Sequence, residues 1–238
     1  MNRVMAAGRR IGPGLVATAF GAAVALSAIP AHAAAGAPAG SPVRADAQVV
    51  RAGQGTSGLP GGGALAAGFV RATAACPVGK VVFGGGSQVV GSGSADFKTS
   101  IQESAPGSAG SQSVWLTALR NNDSVAHTVG LFAVCGNTPA GYQVVRSDFA
   151  VAAGGFLRAT AACPVGKVVI GGGSQVVGSG SADFRTRVQE SAPGSAGSQS
   201  VWLTALRNNG PVARTVGLFA VCANPPAAYQ VVRQDVVS

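Results

Sequence analysis

The chain has 238 residues, a formal charge of +9, only 11% charged residues and 36 glycines. It has no Lys/Arg cluster and no basic-aromatic interleaving, which excludes an RNA-reading sheet or a basic DNA-binding helix. Sparse charge with abundant Gly, Ser and Val excludes a fold of long helices and points to short strands joined by tight turns.

Residues 1–33 read as a secretory signal peptide. Met1 to Arg10 is basic, Ile11 to Ile29 is apolar, and Ala31-His32-Ala33 offers a small-x-small cleavage site. An uncleaved anchor is the competing reading, because the apolar run approaches spanning length. Gly12, Pro13 and Gly14 interrupt that run and favour cleavage. The mature chain then carries 14 basic residues against 8 acidic ones, a charge of +6. Such a charge keeps a protein soluble, or draws it to an anionic surface. The expected location is extracellular, either free or held at the cell wall. No later stretch is long and apolar enough to span a bilayer as a helix.

Residues 34–68 read as a linker rich in Gly, Pro and Ala. One short strand interrupts it, Gln48-Val49-Val50-Arg51, and the same four residues recur at Gln143–Arg146 and Gln230–Arg233. This segment is expected to open a unit, to pair at the junction between units, and to close the second.

Phe69 to Asp148 then repeats as Phe156 to Asp235, with no insertion or deletion and 68 of 80 positions identical. Within one copy, Phe69–Cys76 alternates with period two and reads as a strand. Pro77-Val78-Gly79 turns the chain. A second strand starts at Lys80, is interrupted by Gly84-Gly85-Gly86, and resumes at Gln88. Glycines inside a strand mark a bulge or a close approach of another backbone or a ligand. Phe97–Ser104 is a more polar strand, followed by a loop over 105–111. Val114–Arg120 is a strand, and Val125–Cys135 is the longest. Strands at this spacing suggest a sandwich or barrel.

Each copy has two cysteines, 59 positions apart, and the chain has no others. Four cysteines allow three pairings. The repeat favours Cys76–Cys135 and Cys163–Cys222, since each copy must have folded before it was duplicated. Isolated cysteines and a single histidine after the leader argue against a metal site. That histidine, His127, is replaced by Arg214 in the second copy, so no His-dependent reaction runs in both. No Gly-x-Ser-x-Gly elbow occurs in the mature chain, and the glycines after Lys80 do not form a phosphate loop. Asp96 with Glu103, and Asp183 with Glu190, are the acids shared within the body of each copy. On one regular strand they would lie more than about 20 Å apart, too far for a glycosidase pair.

Trp115 and Trp202 read either as core residues or as stacking platforms for a sugar ring. Arg120, Asn121 and Asn122, with Arg207, Asn208 and Asn209 in the second copy, stand at the end of the same strand and complete a candidate ligand site.

The run CPVGK, GGG, ES-P, VWLTALRNN and GLFAVC resembles a repeat of exported proteins of actinobacteria and other soil bacteria. The resemblance covers both copies. It implies a disulfide-stapled β module, sometimes appended to longer surface proteins, and carries no activity or site residues over to this chain.

The sequence therefore predicts an all-β chain of two tandem disulfide-stapled sandwich or barrel repeats, at 69–155 and 156–238. The alternative is one pseudo-twofold sandwich, made continuous by the recurring Gln-Val-Val-Arg strand. The expected function is non-enzymatic binding of a polysaccharide or anionic cell-wall polymer, without cofactor, metal or nucleic acid, and without membrane contact once the leader is removed. The alternatives are a structural or adhesive surface protein and an extracellular hydrolase using the Asp/Glu pairs.

Overall fold

The computed structural model describes residues 48–52, 68–89, 98–122, 124, 127–178 and 185–235. The expected leader, most of the linker, and Asp96 and Asp183 lie outside the described residues. What is described is all strand and turn. The first six strands are β1 (Gln48–Ala52), β2 (Gly68–Ala75), β3 (Val81–Val89), β4 (Thr99–Ala109), β5 (Gln112–Asn121) and β6 (Val129–Gly136). The next six are β7 (Gln143–Val151), β8 (Phe156–Ala162), β9 (Val168–Val176), β10 (Thr186–Ala196), β11 (Gln199–Asn208) and β12 (Arg214–Ala223).

Turn chemistry sets the strand ends. In Cys-Pro-Val-Gly-Lys, Gly79 and Gly166 take φ of 79° and 83°, a conformation only glycine adopts cheaply. Lys80 N–H then closes the turn on the Pro77 carbonyl at 3.0 Å. Of the expected loop over 105–111, residues 105–109 are strand, with β4 running through Pro106 to Ala109, and Gly110 and Ser111 alone turn the chain. Proline is tolerated because the β4–β9 ladder holds only Ser104 opposite Ser174. Beyond that point β4 pairs on one side alone, and a missing N–H on the other side leaves nothing unmade. The strand expected from Val125 begins at Val129.

The first six strands form a sandwich, with β1-β6-β3 in one layer and β2-β5-β4 in the other. Ala74, Cys76, Val82, Trp115, Ala133 and Cys135 pack between the layers. The last six repeat the plan, with β7-β12-β9 facing β8-β11-β10. No closed barrel forms. Disulfides Cys76–Cys135 and Cys163–Cys222 bridge the layers, as the repeat predicted. Each closes a loop of 59 residues, worth roughly 4 kcal/mol by the chain-entropy model. Paired structural cysteines suit an oxidising compartment.

The structural unit starts one strand earlier than Phe69. β1 pairs with β6, and β7 pairs with β12 in the same register, Gln48 opposite Cys135 and Gln143 opposite Cys222. The Gln-Val-Val-Arg segment thus opens each sandwich. It does not close the second one, because Gln230–Asp235 is not in a strand.

The two sandwiches are joined where β4 meets β9, which turns two three-stranded layers into one six-stranded sheet, β2-β5-β4-β9-β12-β7. Glycines allow the approach. A Cβ on Gly171 would overlap the Phe83 carbonyl oxygen, and one on Gly173 would overlap that of Ser104. The middle glycine serves a different neighbour: Gly85 and Gly172 lie against the rings of Trp115 and Trp202. Gly84 and Gly86 have no described atom near an added Cβ.

Tyr142 donates to the Val82 carbonyl at 2.9 Å and Tyr229 to that of Val169 at 2.6 Å. Each phenol pins the segment after the last strand to its own sandwich. Burial pushes both phenols above the ordinary 10.0, opposed in part by hydrogen bonds to Ser113 and Ser200.

Two outcomes follow. Gly173→Ala should lose about 1–3 kcal/mol of unfolding free energy by overpacking, whereas Gly86→Ala should stay within about 0.5 kcal/mol of wild type in denaturant titration. A raised folded-state phenol favours the protonated form, so its contribution is present below the unfolded value of 10.0 and is lost as pH climbs through the folded one. Stability measured from pH 8 to about 12 should fall above about pH 10, and less steeply in Tyr142→Phe.

Candidate functional site

A groove lies at the seam, where the start of β4 and end of β5 meet the start of β10 and end of β11. Backbone bonds fix both strand pairs there: Asn122 N–H donates to the Lys98 carbonyl at 2.8 Å, and Asn209 N–H to that of Arg185 at 2.9 Å. The Thr186 hydroxyl donates to the Gln102 carbonyl at 3.2 Å and ties the two sandwiches beneath the groove. The space is about 700 Å3. Its walls are Lys98, Thr99, Ser100, Gln102, Arg120, Asn122, Arg185, Thr186, Arg187 and Asn209. Four of these are cations, six carry hydroxyls or amides, and none is acidic or aromatic.

Arg120 is held in position, since its Nε donates to Asn122 Oδ1 at 2.9 Å, and Asn122 Nδ2 reaches Ser100 Oγ at 3.3 Å. Arg185 has φ of 53°, one of two described non-glycine residues in the left-handed region. Backbone strain of that kind clusters at binding sites.

Of the eight expected ligand residues, Arg120, Asn122 and Asn209 come together in this groove. The expected tryptophan platform does not hold at Trp115. That side chain is 3% exposed, packs in the first core, and donates its indole N–H to Ser104 Oγ at 3.0 Å. Trp202 is half-buried against the second core and bonds Ser191 Oγ in the same way. The enclosed Trp115 ring presents no face to a sugar. Asn121 is buried. Asn208 is a structural clamp, donating to the carbonyls of Val151, Ala152 and Val212 and accepting from Gly210 N–H. Arg207 is exposed on β11 and does not line the groove.

Lys98, Arg185 and Arg187 were missed as site residues. A signal was present, because Lys98/Arg185 and Ser100/Arg187 are among the 12 positions at which the copies differ. All four of these residues line the groove.

The acids expected for a hydrolase are placed differently from each other. Glu103 is 0% exposed; its Oε2 accepts from Arg71 Nε at 2.7 Å and its Oε1 from Val176 N–H at 2.7 Å. Its carboxylate is committed to the seam and meets no solvent. Glu190 is half-exposed and pairs with Arg158 at 3.0 Å. Among the described residues no group of three His, Cys, Asp or Glu is placed to hold a metal ion.

Comparison with protein families, curated proteins and solved structures finds no match to this chain.

Removing Glu103 leaves Arg71 and the Val176 N–H without their carboxylate. Glu103→Ala should destabilise by about 3–5 kcal/mol, against at most about 1 kcal/mol for the exposed pair lost in Glu190→Ala. Thermal unfolding of the two variants side by side checks the difference.

Proposed function

We propose that this is an exported, non-enzymatic protein that binds an anionic extracellular or cell-wall glycan in the groove between its two sandwiches. The observation that carries this reading is the set of Lys98, Arg120, Arg185 and Arg187 on one concave surface with no carboxylate among its walls. Cations gathered in a cleft focus a positive potential and raise the local concentration of a polyanion. Guanidinium groups match carboxylate and phosphate oxygens in a bidentate way. The hydroxyls and amides of Thr99, Ser100, Gln102, Asn122, Thr186 and Asn209 suit the hydroxyl groups of a sugar chain. No aromatic ring lines the groove, so the ligand is held by charge and hydrogen bonds rather than by stacking. Export is supported by the leader-like residues 1–33 and by the two disulfides.

The test compares retention on a phosphate- or uronate-bearing wall polymer with retention on chitin, cellulose and starch. Binding should favour the anionic polymer and weaken with salt. Arg185→Glu combined with Arg187→Glu should lower affinity at least about tenfold while thermal unfolding stays unchanged. Equal retention on neutral polymers, or binding indifferent to the charge reversal, would sink this reading.

A further inference from the structure

The two copies are nearly identical in sequence, yet the fold buries them unequally. Glu103 and Trp115 are enclosed, whereas their equivalents Glu190 and Trp202 are half-exposed. Phe69 packs against the second core, while Phe156 is 55% exposed. The converse holds for the glycines. Gly171 and Gly173 are covered by backbone of the first sandwich, and Gly84 and Gly86 face open space among the described residues. β3 at Gly84 and Gly86, and β10 at Glu190, are therefore open among the described residues, although Phe83 of β3 and Thr186 of β10 already take part in the seam. The strands concerned are both outermost in their sheets, β10 in β10-β11-β8 and β3 in β1-β6-β3.

A separate observation concerns the third Gln-Val-Val-Arg. The first two copies of this segment are β1 and β7, which take the same register on identical stretches of β6 and β12. In each, the arginine lies over the facing phenylalanine, Arg51 over Phe132 at 5.8 Å and Arg146 over Phe219 at 5.6 Å. Inward-facing Val50 and Val145 pack on the two cores. The third segment leaves the second sandwich just after Tyr229, as β7 leaves the first just after Tyr142. It remains unpaired as a strand, with Val232 86% exposed. Both sides of β6 and of β12 are already occupied.

We propose that the protein assembles head to tail with further copies of itself, repeating between chains the seam it makes within one. β10 of one copy meets β3 of the next as β4 meets β9. Residues Gln230–Asp235 of the first copy replace β1 on β6 of the next, with Gln230 opposite Cys135 and Arg233 opposite Phe132. Strand addition of this kind takes its affinity from main-chain hydrogen bonds and its register from alternate side chains.

The tail suits β6 better than the resident β1 does. Its Gln-Val-Val-Arg-Gln-Asp matches β7, where Arg146 Nε donates to Asp148 Oδ1 at 2.7 Å beside Gly217. Arg233 and Asp235 already form that pair at 2.8 Å, and β6 offers Gly130 at the place of Gly217. β1 ends at Ala52, and the next residue in the sequence is Gly53, so no acid stands at the matching position. β1 is also joined to β2 by 15 residues, whereas only four connect β7 to β8. Exchange of a short, long-tethered strand for one that shares its Gln-Val-Val-Arg is a low-cost route to association. The contact is heterologous, so it extends into chains or closes into rings. It does not depend on what the groove binds.

Sedimentation or light scattering of the purified protein over a concentration series tests the idea. The wild-type weight-average mass should rise with concentration to at least about twice the monomer. Two variants should hold it at the monomer with unchanged thermal unfolding. Val232→Asp alters an exposed side chain that must enter the next core. Gly86→Ala adds a methyl where the monomer has room and the repeated seam has none. A wild-type protein that stays monomeric at its highest soluble concentration overturns the proposal. So does assembly that either variant leaves intact.

Discussion

Glu103 sits where two sheets become one. β4 and β9 share a single ladder pair, Ser104 with Ser174, so the backbone alone does not hold them in register. The carboxylate supplies what the ladder lacks, taking the Val176 N–H from the second sandwich and the Arg71 guanidinium from the first. A buried charge is tolerated only when its lone pairs are satisfied, and a one-residue slip would leave it stranded. It therefore fixes register more than it adds stability. The glycines beside it remove the Cβ atoms that would keep the two backbones apart.

That constraint positions the groove. With β4 and β9 in register, the start of β4 lies beside the start of β10, and Thr186 reaches the Gln102 carbonyl. The strand ends carrying Lys98 and Arg120 are thereby brought against those carrying Arg185 and Arg187. Neither sandwich has this cluster alone. The like charges of the two walls are held close by the backbone bonds that fix each strand pair and by the Thr186 bond that joins them.

Much of the fold was legible in the residues. Period-two alternation gave β2, the repeat gave the disulfide pairing, and the glycine triplet announced a bulge or a close approach. The site was less legible. Trp115 had the composition of a sugar platform, but its indole N–H found Ser104 and its ring found Gly85, both placed by strands distant in sequence. Asn121 and Asn208 looked like ligand groups and are buried, Asn208 as a clamp on backbone carbonyls. Pro106 and Gly107 looked like a loop because a single sequence does not say which side of a strand is unpaired. The seam was invisible for a deeper reason: Glu103 and Glu190 lie in the same local sequence, and only the neighbouring sandwich makes one buried and the other exposed.

The same logic bears on the ends of the molecule. An outermost strand with unprotected edges is a liability that proteins usually blunt with charge, proline or a covering loop. β9 needs no such device, because β4 lies over it. β3 has nearly the same sequence, Val-Val-Phe-Gly-Gly-Gly-Ser-Gln-Val, with no charged residue and no proline in its nine positions. Its glycines are shaped for a backbone that, in the described residues of one chain, does not arrive. β10 shows the matching half, with Glu190 and Arg158 already paired as Glu103 and Arg71 are. Random drift after duplication would not be expected to leave both halves open and complementary. Their joint survival is explained most economically by a contact that the single chain makes once and the assembled protein makes repeatedly.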